Sequence, residues 1–294
     1  MRRDSIRVGL HVLGVGNGSR PEVVAAVSQQ ADELGFATLW CGEHVVMVDE
    51  PNSRYPYSDN GKIAVPAEAD WLDPLLSLSF AAACTSTIKL ATGVLLLPEH
   101  NSLLVAKQAA TLDVLSGGRF SLGIGVGWSE DEFAALGVPF ARRAARTAEY
   151  VAAIRTAWAD DVATFRGEFT SFESVRVNPR PVRNRTLPII LGGTSDAALG
   201  RVAAFGDGWY GFNVPAADVP DRIRVLAEKC SHRGRQLADL IIAVSVPDEG
   251  PAILPALAAA GVTELVVVAE PPERGDAAAD WVSELGALWL SSSG

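Results

Sequence analysis

A glutamate and a histidine stand side by side in Trp40-Cys41-Gly42-Glu43-His44, directly after a short strand-like run. An imidazole titrates near neutral pH, so at a strand end it can take or give a proton. His44 is therefore the leading acid/base candidate, and hydrogen bonding to a loop is its other reading. His11, at the end of the first apolar run, ranks behind it.

Three glycine-bearing segments suggest a flat, anionic ligand. In Ala91-Thr92-Gly93-Val94 a residue without Cβ interrupts a β-branched run, the mark of a bulge or of a close backbone approach to a ligand. In Gly123-Ile124-Gly125-Val126-Gly127-Trp128, Trp128 occupies the place of the third glycine of a dinucleotide fingerprint, so that pattern fails. These glycines read instead as room for a flat ring. Gly192-Gly193-Thr194-Ser195-Asp196 opens a helix, where free N–H groups, hydroxyls and the positive helix end converge on a place for an anion. Simple N-capping by Thr194 or Ser195 is the alternative. No metal site is expected, because His11, His44, His100 and His232 lack close spacing with carboxylates. A Gly-x-Ser-x-Gly nucleophile elbow is also absent.

These segments need elements to place them. Strand-like runs cover Ile6 to Leu13, Ala37 to Cys41, Ile88 to Leu96, Arg119 to Val126, Leu187 to Leu191, Asp207 to Phe212, Leu240 to Val246 and Glu264 to Val268. Helical periodicity follows each: Pro21 to Leu34, Pro74 to Thr85, Ser102 to Leu115, Arg142 to Trp158, Asp196 to Phe205, Ala216 to Cys230, Pro251 to Ala260 and Asp276 to Leu290. Pro21 and Pro74 suit first helical turns, and Gly35 and Gly261 suit helix ends. The alternation predicts an α/β parallel architecture, a (β/α)8 TIM barrel with insertions at the C-terminal face, spanning residues 1–294 as one domain. A doubly wound sheet is the rival, but the first loop, Gly14-Val15-Gly16-Asn17-Gly18, lacks its glycine turn. Val45 to Asp73 and Asp161 to Thr186 stand outside the repeat as lid or wall segments, and Thr164 to Phe169 resembles a hairpin. Active sites of such barrels lie at the carboxyl ends of the strands, where the candidate residues fall. Phosphate sites in barrels commonly follow strands seven and eight, whereas the Gly192-Gly193 loop follows strand five.

Composition narrows the class. The 294 residues are 48% hydrophobic and 20% charged, as expected of a chain with a sizeable core. A net charge of −10 with scattered arginines argues against nucleic acid. No run reaches the roughly 18–20 apolar residues of a membrane span, and Met1-Arg2-Arg3-Asp4 does not open a signal peptide, so a cytoplasmic protein is expected. Cys41, Cys84 and Cys230 are too widely spaced to suggest a disulfide framework or a zinc site.

The segment Leu34-Gly35-Phe36-Ala37-Thr38-Leu39-Trp40 leading to Glu43-His44 resembles the luciferase-like monooxygenase superfamily. So do the block from Ala106 through Leu115-Ser116-Gly117-Gly118-Arg119-Phe120, Gly123 to Trp128, Glu132-Phe133, Pro179 to Val182, Gly192-Gly193 and Gly206 to Trp209. The loop Tyr55-Pro56-Tyr57-Ser58-Asp59-Asn60-Gly61 and the short chain are similar to the branch that uses coenzyme F420, a deazaflavin. The resemblance implies a ring at the barrel mouth on a bulge with a non-prolyl cis peptide, placed at Gly93 to Val94. It also implies phosphate near the Gly-Gly loop. Carried residue by residue, it assigns cofactor contacts to Thr92, Gly93, Val94, Gly192, Gly193, Thr194 and Ser195, and proton or hydride assistance to His44. His11, Glu43, Gly125 and Gly127, at the same strand ends, complete the candidate cofactor-binding set. This chain has Trp128 where some relatives carry an acid, and Arg143-Ala144 where Arg-Gly is usual.

The resulting expectation is hydride transfer between coenzyme F420 and a small organic substrate, the cofactor supplying the chemistry. A reduced-FMN monooxygenase and a non-catalytic cofactor-binding protein are the alternatives. Arg183, Arg185, Arg201 and Lys107 are candidates to meet the cofactor's polyglutamate tail. The apolar faces around Leu75 to Ala83 and Val105 to Leu115 are candidates for a homodimer contact.

Overall fold

Pro21 at the start of the first helix and Gly35 at its end, where φ is 84°, turn the chain back on itself so that a second strand can lie parallel to the first. That unit repeats around the molecule. A computed structural model describes residues 6–247 and 249–291; the Met1-Arg2-Arg3-Asp4 start lies outside the described residues. In chain order the elements are β1 (Arg7–Leu13), α1 (Pro21–Leu34), β2 (Thr38–Cys41), α2 (Pro74–Cys84), β3 (Lys89–Thr92), β4 (Leu95–Leu96), α3 (Ser102–Leu115), β5 (Phe120–Gly125), α4 (Glu130–Ala135) and α5 (Arg143–Ala159). There follow β6 (Ala163–Arg166), β7 (Ser171–Val175), β8 (Ile189–Gly192), α6 (Asp196–Phe205), β9 (Gly208–Gly211), α7 (Val219–Ser231), β10 (Ile241–Val244), α8 (Leu254–Ala260), β11 (Glu264–Val268) and α9 (Gly275–Trp289).

The sheet runs β3-β2-β1-β11-β10-β9-β8-β5-β4 and closes through β3–β5, with parallel pairing throughout. With β3 and β4 counted as one interrupted strand, it is a closed eight-stranded (β/α)8 barrel. Gly192 and Gly193 do follow the fifth barrel strand. Inside the barrel Trp40 stacks on Tyr210 with ring centroids 4.6 Å apart, among Ala91, Ile190, Ala243 and Val266. The Trp40 indole N–H donates to Glu264 at 2.9 Å, so its one polar atom is satisfied in the core. Burying a ring of this size stabilises the fold by roughly 2–3 kcal/mol. A second apolar layer joins strands to helices, with Val23, Val27, Leu78, Ala109, Ile154, Leu199 and Val282 fully buried.

Two differences from the sequence reading matter for the site. The run from Ile88 to Leu96 is broken at Gly93-Val94, whose peptide bond is cis as the resemblance implied. A short helix, α4, stands where no helix was expected. The expected hairpin forms as β6 and β7, and it packs outside α5, where Glu149 accepts the Phe169 and Thr170 N–H groups at 2.7 and 2.8 Å. The insertion from 45 to 73 takes the lid position instead. Leu72 N–H donates to Gly14 O at 2.8 Å and the Trp71 indole to Gly42 O at 3.3 Å. Near its other end Ser53 N–H donates to Asp131 of α4 at 2.8 Å. No described helix is long and apolar enough to cross a membrane.

Candidate active site

His44 stands just past the end of β2 with its side chain only 8% exposed. Its Nδ1 lies 2.7 Å from Oε2 of Glu132, while Oε1 of Glu132 accepts the Val45 N–H at 2.7 Å and the Val46 N–H at 3.3 Å. The carboxylate therefore fixes both the imidazole and the chain that follows it. Nδ1 is the engaged nitrogen, and Nε2 has no protein partner among the described residues. Trp71 and Trp128 meet the ring edge-on at centroid distances of 4.8 and 5.7 Å. An imidazole oriented by a carboxylate at a partly dry barrel mouth is suited to moving one proton at Nε2.

Glu132 was not identified from sequence as the partner of His44. The local pattern Ser129-x-x-Glu132 reads as a capping box, and Ser129 does accept the Glu132 N–H at 3.2 Å. The carboxylate does not turn back to close that box; it spans to the β2 loop.

Glu43, beside His44, has a different task. Its Oε2 accepts the Leu96 N–H at 2.6 Å, and the His100 Nε2–H lies 3.0 Å from both oxygens. Glu43 thus ties β2 to the strand beyond the cis peptide and supports the bulge. Burial alone would lower the His100 pKa, but the hydrogen bond and charge of Glu43 raise it above the ordinary histidine value. Nearby Glu99 has both carboxyl oxygens buried without a partner. Burial, followed by the charges of Glu132 and Glu43, pushes its pKa up to about 9, so it is a neutral acid at pH 7.

The glycines near the bulge first make room for the protein itself. A Cβ at Gly123 would lie 1.8 Å from the Thr92 carbonyl oxygen, and one at Gly125 2.7 Å from Val94 Cγ2. A Cβ at Gly192 would lie 3.1 Å from the other methyl of Val94, and one at Gly127 would strike Phe133 at 2.5 Å, 3.2 Å from Glu99 Oε1. The bulge that lifts Val94 is thus fitted into glycine-made space on two neighbouring strands. Thr92 is fully buried and its hydroxyl donates to Gly123 O at 2.6 Å, which places it in the barrel wall.

At the fifth strand, Gly193 has φ of 103° and Ser195 caps α6 by accepting the Ala198 N–H at 3.2 Å. The capping reading is therefore realised at Ser195. Thr194 remains at the edge of a cavity of about 530 Å³ that Tyr57, Asn213 and Arg222 also line. Arg201 of α6 is partly buried beside Arg143, and burial, reinforced by that like charge, lowers its pKa. The other three cations proposed for a tail lie elsewhere. Lys107 donates to Asn178 O, Arg185 pairs with Asp161 at 3.1 Å, and Arg183 lines a cavity with Arg7 and Lys89 at the opposite end of the barrel. The reason is topological: residues 183–186 lead into β8, so they sit at its amino end.

His11, on β1, faces the mouth with a nitrogen 2.8 Å from the Tyr210 hydroxyl. Burial pulls its pKa down to about 4, so it is neutral at pH 7. A Cβ at Gly42 would come within 3.1 Å of His11 Nε2. Above it the lid closes a line of rings, running from Trp128 to Tyr55 (5.2 Å), Tyr57 (5.4 Å) and Phe212 (5.5 Å). Phe212 in turn lies 5.9 Å from His11.

Comparison with known proteins follows the same outline. A sequence model of the family described as luciferase-like monooxygenase matches residues 8–247. An uncharacterized protein of Mycobacterium tuberculosis, Rv0953c, is 34% identical over 268 residues, covering 90% of this chain and 92% of its own. Among solved structures, the monooxygenase RslO1 from Streptomyces bottropensis superposes with a TM-score of 0.79 at 20% identity, covering 98% of this chain and all of its own. The coenzyme F420-dependent tetrahydromethanopterin reductase from Methanopyrus kandleri does so with a TM-score of 0.75 at 17% identity, over 99% of this chain and 100% of its own. At these identities the two structures speak for the fold.

Proposed function

The chain belongs to the luciferase-like monooxygenase family, and on that premise we propose that it is an oxidoreductase that binds coenzyme F420 at the barrel mouth and transfers a hydride to or from a small organic substrate. The observation that carries this reading is the His44–Glu132 pair at 2.7 Å, open at Nε2, two residues beyond Gly42, where a Cβ would lie 3.3 Å from the Gly93 carbonyl oxygen of the bulge. Proton movement at a substrate hydroxyl or carbonyl is what a hydride transfer needs from the protein.

The residues present fit a flat-ringed, phosphate-bearing group. Val94 rises from the bulge as a partly exposed apolar surface, and Gly193 leads into the N-terminus of α6, where a phosphate is favoured by free N–H groups and the helix dipole. Arg201, beside Arg143, adds positive charge from α6, while Arg143 donates to Gly127 O at 2.9 Å and feels the charge of Glu130. When bound, the deazaflavin would supply a two-electron donor or acceptor. The chain's own tasks are to seat the ring on Val94, hold the phosphate at Gly193 and Thr194, exclude water with the 45–73 insertion, and hold a proton at His44 Nε2.

The test is a fluorescence titration of the purified protein with F420 and, separately, with FMN, each repeated on Gly193→Asp. Micromolar or tighter F420 binding that the variant loses supports the reading. A preference for FMN would favour a reduced-flavin monooxygenase, and binding of neither would remove the cofactor assignment.

The protein is further proposed to act on a small molecule, without nucleic acid or membrane partners, and to pair as a homodimer through α2 and α3. Leu76, Phe80, Val114 and Leu115 stand 71%, 45%, 43% and 67% exposed there. Sedimentation of wild type against Leu76→Asp measures the pairing.

A further inference from the structure

The insertion that covers the mouth brings a particular chemistry to it. The rings of Trp71 and Trp128 flank His44, and Tyr55, Tyr57 and Phe212 continue that line to His11. No described arginine faces these rings: the arginines that lie over aromatic rings sit on Phe140 and Phe169. Residues 45–73 carry six acidic and two basic side chains. Of those two, Arg54 is folded against Gly61 within the insertion itself. Lys62, the other, is exposed. On the phosphate side stand Arg143 and Arg201, and Arg222, which pairs with Asp196 and Asp221 at 2.8 and 2.5 Å.

The ionisable groups around the rings are mostly uncharged, and the His100 imidazole, whose pKa is raised, is paired with Glu43 at 3.0 Å. His11 is neutral, burial keeps Tyr55 and Tyr57 protonated, and Glu99 is a neutral acid. An anionic group set among these rings would lose its hydration and meet no arginine lying over any of them. A neutral ring or alicyclic body would instead exchange water for aromatic edges and faces.

We propose that the substrate pocket selects an uncharged, ring-bearing organic molecule whose hydroxyl or carbonyl oxygen meets Nε2 of His44, and that it rejects anionic counterparts of the same skeleton. This deepens the oxidoreductase reading and rests on it for the role of His44. The selection itself depends only on the rings and charges of the lid.

The test is calorimetric titration of the full-length protein, alone and with F420 present, using acetophenone and benzoylformate, which share a ring and a ketone and differ by a carboxylate. Acetophenone is expected to bind at least tenfold more tightly than benzoylformate, and Tyr57→Ala to weaken acetophenone by about tenfold. Trp128→Phe, which keeps an aromatic ring, is expected to retain the preference and so separates loss of the pocket from loss of fold. Equal or tighter binding of benzoylformate overturns the proposal, as does binding of neither probe. If acetophenone binds selectively while F420 does not bind, the pocket assignment stands and the cofactor reading falls.

Discussion

Nδ1 of His44 is held 2.7 Å from Oε2 of Glu132, across 88 residues of sequence and two separate loops of the barrel mouth. The contact joins the β2 loop to α4, and Asp131, the residue before Glu132, holds the lid by accepting the Ser53 N–H at 2.8 Å. One turn of helix therefore sets both the imidazole and its cover.

Removing the orienting charge should separate catalysis from binding. In Glu132→Gln, the F420 dissociation constant is expected to stay within about twofold of wild type. Turnover should fall about 10²-fold, the lower end of what general acid–base catalysis supplies, and the kcat–pH profile should shift. His44→Ala should lose at least as much. Equal turnover in Glu132→Gln and wild type would deny the pair its role.

The bulge predicts opposite outcomes for two glycines. Gly123→Ala would force a methyl to 1.8 Å from a backbone oxygen, so a loss of about 3 kcal/mol or more in urea unfolding is expected. Gly200→Ala, inside α6 with nothing within 4 Å of the new methyl, should gain about 0.5–1 kcal/mol from helix propensity.

Glu99 gives a pH signature. Its carboxyl holds a proton up to about pH 9 in the folded chain but releases it near 4.5 when unfolded. The folded state thus binds the extra proton between those values, and stability from this group declines as pH rises across that window. Chemical denaturation of Glu99→Gln should show less decline than wild type from pH 5 to pH 9, the two curves diverging upward. Parallel curves would mean that Glu99 is ionised.

The lid should respond to its anchor. Asp131→Ala removes acceptors for Ser53 N–H and for the Asn52 amide at 3.2 Å. Limited proteolysis is expected to cut within residues 45–73 faster in the variant, with the thermal midpoint little changed because the barrel core is untouched.

Much of this protein was legible in its sequence. Buried parallel strands and amphipathic helices follow local rules of periodicity, and Pro21, Gly35 and Gly261 mark element ends that the chain uses. Their eightfold alternation suffices for a barrel, and a barrel puts strand ends, with His11, His44 and the glycine loops, at one face. The resemblance located the cis peptide at Gly93-Val94. The partners of those residues were beyond local reading. Glu132 sits in a pattern that reads as a helix cap, Glu43 turns to Leu96 and His100, and Gly125 yields its space to Val94. Arg183 faces the opposite end from the one its charge suggested. Each outcome depends on contacts between residues distant in sequence, where a side chain's direction is set by the curvature of the closed sheet and by which loop lands above it. Local patterning determines which elements form and at which end of the barrel a loop emerges. Only the packed structure decides which oxygen faces which nitrogen, because a hydrogen bond is settled over a few tenths of an ångström and periodicity carries no information at that scale.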